Sequence, residues 1–81
     1  MEVEIRYFAA AREAAGLEGE TVALPPGCTV AGLLEALCAR HPPLTAAAAS
    51  LRVAIGTTFA PPDTPVPPGA VVALIPPVGG G

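Results

Sequence analysis

The sequence predicts an α+β roll, a single mixed sheet with one principal helix across one face. Three observations point to it. A strictly alternating segment opens the chain. One long amphipathic helical pattern stands near its middle. A segment apolar on both faces, Ala70 to Ile75 (AVVALI), comes last. With 81 residues there is chain for one small domain. One helix and several short strands pack most economically as two layers.

The elements follow in order. Val3, Ile5 and Tyr7 alternate with Glu2, Glu4 and Arg6, the period of a half-buried strand. Ala9 to Ala15 (AAAREAA) is built of helix formers, and Gly16 suits the left-handed position after a helix. Glu20 to Leu24 reads as a second strand, stopped by Pro25-Pro26-Gly27. Thr29 is a good N-cap. Behind it Val30, Leu33, Leu34, Leu37 and His41 line one face of the principal helix. His41-Pro42-Pro43 ends that helix, because proline disfavours helical backbone in the residue before it. Leu44 to Ser50 is alanine-rich and reads as one loose helical turn. Leu51 to Ile55 is strand-like, with Thr57 to Phe59 as a short partner across Gly56. Pro61 to Gly69 holds five prolines and reads as a rigid loop. The final strand, Ala70 to Ile75, belongs in the middle of the sheet with a helix over one side. The ubiquitin-like β-grasp satisfies this order. The reading divides the chain into a β-grasp domain over 1–75 and a flexible C-terminal tail over 76–81.

Composition excludes several classes. Net charge is −3, with seven carboxylates, four arginines and no lysine. Phosphate binding needs clustered cations, so no nucleic-acid partner is expected. No apolar stretch approaches the roughly 20 residues that cross a bilayer, so no membrane partner is expected. No signal peptide is read at the start, and the expected location is cytoplasmic. Cys28 and Cys38 lie ten apart beside a single His41, too few ligands for a zinc site. Cys38 reads as a small core residue and Cys28 as a loop residue. His41 reads as a helix-boundary residue without catalytic partners. Glu2, Glu4, Glu18 and Glu20 form either a solvated face or a surface for a basic partner, and Arg12 either orders a turn or touches a partner.

The most informative segment is Pro76-Pro77-Val78-Gly79-Gly80-Gly81. Residues without a Cβ cannot hold a helix or pack, and two prolines stiffen the exit from the strand. Fully extended, the segment reaches at most about 20 Å. Such a tail can enter a narrow channel in another protein and present its terminal carboxylate there. A carboxylate becomes an acyl donor only after activation, for example as an adenylate. Sulfur can then take the acyl group as a thiocarboxylate, or an amine can take it as an isopeptide. The lack of lysine has two readings: arginine usage in a GC-rich genome, or protection of an activated acyl group.

At these residues the chain resembles the sulfur-carrier small subunits of molybdopterin synthase, the MoaD family. The opening Arg6-Tyr7-Phe8-Ala9-Ala10-Ala11-Arg12-Glu13 is similar to that family's first strand and Phe-Ala-x-x-Arg-Glu turn. The ending from Val72 through Ile75 to Gly81 is similar to its closing strand and Pro-Pro-Val-x-Gly-Gly terminus. One departure is Gly56, where the family often has Asn. The resemblance implies a non-catalytic, sulfur-donating subunit of a sulfurtransferase complex. Gly81 is then the acyl adenylate and thiocarboxylate site, and Pro76, Pro77, Val78, Gly79 and Gly80 are the inserted tail. Phe8, Phe59 and Ile75 match the family's apolar docking residues. The implied partners are the synthase large subunit (in a heterotetramer), an E1-like adenylating enzyme and a persulfide sulfur donor. No cofactor is expected to be bound; the activating enzyme consumes ATP. The rival expectations are a sulfur carrier for thiamine or tRNA thiolation, a ubiquitin-like protein modifier, and a plain interaction module.

Overall fold

The computed structural model describes residues 1–76, and they fold as a five-stranded mixed sheet with helices packed on one face. In chain order the elements are β1 (Glu2–Tyr7), α1 (Ala10–Ala15), β2 (Gly19–Ala23), α2 (Val30–Arg40), α3 (Leu44–Ala47), a 3-10 turn (Ala48–Ser50), β3 (Arg52–Ile55), β4 (Thr58–Phe59) and β5 (Val71–Ile75). The strand order is β2-β1-β5-β3-β4. The last strand therefore lies at the centre, as its apolar sequence predicts. It runs parallel to β1, pairing Ile5 with Val72 and Tyr7 with Leu74. It runs antiparallel to β3, pairing Val53 with Leu74 and Ala54 with Ala73. This is the β-grasp arrangement expected from the order of elements.

The alternation of β1 becomes a two-sided strand. Val3, Ile5 and Tyr7 are buried with Val72, Leu74 and Val53 on one face of the sheet. Val30, Leu33 and Leu37 of α2 complete that core. Leu34 is only half-buried at its margin, so the apolar stripe is narrower than the sequence pattern. Cys38 packs at the edge of the core rather than within it, and Cys28 is half-buried in its loop; both are free thiols. No described helix is long and apolar enough to cross a membrane.

Helix α2 starts where the sequence places it. The Thr29 hydroxyl accepts from the Gly32 N–H at 3.3 Å. The two N–H groups before it, on Val30 and Ala31, donate to the carbonyls of Thr64 and Pro62 at 2.9 Å. Thus the proline-rich loop supplies acceptors that a helix start otherwise lacks. Gly56 turns the chain from β3 into β4 at φ 64°. Asn tolerates that left-handed conformation as well, so the departure from the family pattern keeps the same backbone requirement.

Two expectations are corrected. Ala9 is not helical: α1 begins at Ala10, and Ala9 has φ 48° and ψ −121°. Glu20 is not part of a solvated acidic face; its side chain is 11% exposed and held by three partners.

Candidate functional site

The face of the sheet opposite the helices holds the even-numbered residues of β1 and the odd-numbered residues of β5. Register assigns Val71, Ala73 and Ile75 to it, with Ala54 beside Ala73 and Phe59 beside Ala54. Phe8 follows β1 by one residue and continues the alternation of Glu2, Glu4 and Arg6. Its N–H donates to the Leu74 carbonyl at 3.2 Å, which keeps it next to the end of β5. Phe8 is 49% exposed and Phe59 58% exposed. Val71 is exposed as well, while Ile75 and Pro76 are half-buried. An apolar stripe therefore crosses the open face from β1 to β4, and the chain leaves β5 from within it. Arg52 of β3, paired with Ile75 of β5, and Arg6 of β1 place cations in this face. Arg6 is tied to Glu4 at 2.5 Å. The edge strand also rims an open groove of about 370 Å³, lined by Val30, Leu34, Leu51, Val53 and Phe59.

Of the residues expected at the site, Phe8, Phe59, Ile75 and Pro76 lie on or beside this face. Pro77, Val78, Gly79, Gly80 and Gly81 lie outside the described residues. Val71 was not among the expected residues. Its place in the alternation of β5 is a signal that the all-apolar composition of that strand hides.

The sheet's other face carries a polar cluster that the sequence did not reveal. Glu20 accepts from the Tyr7 hydroxyl at 2.7 Å, from the His41 Nε2 at 2.5 Å and from the Arg40 guanidinium at 2.6 Å. An ionised carboxylate only accepts, so His41 Nε2 must carry its hydrogen here. The Tyr7 and His41 rings meet edge-to-face at 5.8 Å. Burial pushes the Glu20 carboxyl up, but the hydrogen bonds from Tyr7, His41 and Arg40 together outweigh it and hold the group at about 2. The Tyr7 phenol is pushed well above its usual range, first by burial and then by the adjacent carboxylate. The cluster joins β1 and β2 to the end of α2. It anchors Tyr7 on one side of the sheet while Phe8 stands at the other.

The sequence model of the ThiS family matches residues 5–81. The chain belongs to the ThiS family. This ThiS-family chain is 32% identical, over the full length of both proteins, to the molybdopterin synthase sulfur carrier subunit of Chlamydomonas reinhardtii. Among solved structures it is similar to a molybdopterin converting factor subunit 1 from Pyrococcus furiosus, described there as putative, with 29% identity and a TM-score of 0.88. That likeness covers 96% of this chain and 99% of the other. It is also similar to the SAMP1 protein of Haloferax volcanii, at 27% identity and a TM-score of 0.85, over all of both chains. The ThiS-family chain is thus a homologue of molybdopterin synthase sulfur carrier subunits.

Proposed function

We propose that the protein is the sulfur-carrying small subunit of a cytoplasmic molybdopterin synthase and that Gly81 is its reactive residue. The Gly81 carboxylate attacks ATP in the site of an E1-like enzyme, forming an acyl adenylate and releasing pyrophosphate. The terminal sulfur of a donor's persulfide then attacks the acyl carbon and AMP leaves. A thiol cleaves the resulting acyl disulfide, taking the donor sulfur into a new disulfide and leaving the thiocarboxylate on Gly81. Pro76, Pro77, Val78, Gly79 and Gly80 carry that sulfur into the active site of the synthase large subunit. There it is donated to the dithiolene of molybdopterin, and hydrolysis restores the carboxylate.

The observation that carries this reading is the position of the central strand's exit. β5 ends at Ile75 within an exposed apolar face, so docking of that face and insertion of the residues that follow are one event. Phe8, Phe59 and Ile75 are the docking residues. Exposed aromatic side chains are the kind that dominate interface energetics. The occupant of the face is the large subunit, because the full-length relative at 32% identity is itself a synthase subunit. The domain that docks is 1–75 and the segment that inserts is 76–81.

Co-expression with the host's activating enzyme and sulfur donor, followed by intact mass measurement, tests the reading. A gain equal to one oxygen-to-sulfur exchange on the C-terminal peptide is expected. Conjugates to lysines of other proteins, without that exchange, would support a protein modifier, the class named by the similar small archaeal modifier protein 1 of Haloferax volcanii. An unchanged mass overturns both.

A further inference from the structure

Among the described residues Ala9 is the one non-glycine residue with a positive φ. At φ 48° and ψ −121° its Cβ is crowded by its own backbone. These angles mirror the first central position of a type II turn, so a glycine or a D-residue would fit without strain. The Ala11 N–H closes the turn on the Phe8 carbonyl at 3.0 Å. The strain persists because the residue before it is held from three sides. The Phe8 N–H is bonded to Leu74 and the Phe8 carbonyl to α1. The preceding Tyr7 is anchored through its hydroxyl to Glu20. All of this fixes a residue whose ring is half in water and adds little to the core.

We infer that Ala9 is a positioning residue: its turn fixes the Phe8 ring beside Ile75, where the tail leaves the sheet, in the orientation the large subunit receives. This rests on the docking role of Phe8 proposed above. Glycine at position 9 would relieve the crowding but also release the turn into many backbone states. Phe8 would then have to be ordered at the moment of docking, and that cost appears as lost affinity. Stability and binding should therefore move in opposite directions, which a purely structural role of Ala9 does not produce.

The test measures thermal melting and calorimetric binding to the purified synthase large subunit. The proteins compared are wild type, Ala9→Gly, Phe8→Ala and the double variant. A fifth form carries D-alanine at position 9 and is assembled by ligation at Cys28. Ala9→Gly is expected to raise Tm by about 2–5 °C. It is expected to weaken binding about 3- to 10-fold through the lost pre-organisation. D-alanine, which keeps the turn stiff without crowding, should raise Tm and preserve wild-type affinity. In the Phe8→Ala background, Ala9→Gly should cost nothing more. Wild-type affinity for Ala9→Gly, or an equal loss with and without Phe8, overturns the inference while leaving the docking role intact. Wild-type affinity for Phe8→Ala removes the docking role itself, and this inference with it.

Discussion

Glu20 is the residue on which the polar chemistry of the folded domain converges. Three donors reach one carboxylate that is almost wholly covered. Hydrogen bonds to a charged acceptor each contribute more than neutral ones. Replacement Glu20→Gln keeps the shape and removes the charge, and should lower stability at neutral pH by about 2 kcal/mol. The pH dependence has a defined sign. The folded carboxyl lies at about 2, below its ordinary 4.5. Its contribution is complete above that ordinary value and is lost as the pH falls toward the folded one. Urea unfolding from pH 7 to pH 2 should show an acid limb that flattens in Glu20→Gln. An acid limb of equal steepness in the variant would contradict the assignment. Arg40 and His41 are adjacent in sequence, and both are visible there as the end of a helix. Their common partner lies some twenty residues earlier, on β2, and no local pattern announces it.

Among the elements, α2 and β5 hold the domain together, and β4 with the segment after β1 faces outward. Leu37 is fully buried between helix and sheet. Leu37→Ala should cost about 2–5 kcal/mol in stability, the usual range for a cavity in a packed core. Phe59→Ala removes a larger side chain, yet its ring is mostly in water. Its cost should stay near 0.5 kcal/mol, as for other surface substitutions, while binding to the large subunit falls. Chemical denaturation of both variants, with binding measured on Phe59→Ala, checks the contrast. The reach of α2 was legible because its signals are local: Thr29 caps, the apolar residues repeat with the helical period, and Pro42 stops it. The part played by the proline-rich loop was not. Its carbonyls cap α2 only because the chain returns there more than thirty residues later.

On the scale of the whole molecule, the proposed division of labour sets a stable body against a reactive C-terminal residue. Among the described residues the central strand is also the last, and it is held by β1 on one side and β3 on the other. Adding one residue after Gly81, or deleting Gly81, should abolish sulfur transfer by the reconstituted synthase and leave Tm unchanged. A variant that loses stability together with activity would show that the terminal residues serve the body.

By itself the sequence determined the fold class, the order of the elements and the central place of the last strand. Each of these rests on periodicity, on proline and glycine, or on capping, which act over a few residues. Tertiary structure decided which large apolar side chains face water. Phe8 and Phe59 have the composition of a core, and only the register of β1, β3, β4 and β5 puts them on the open side. It also decided the strained backbone of Ala9 and the company kept by Glu20. Both arise because distant segments meet and constrain one another, and a one-dimensional pattern holds no record of that meeting.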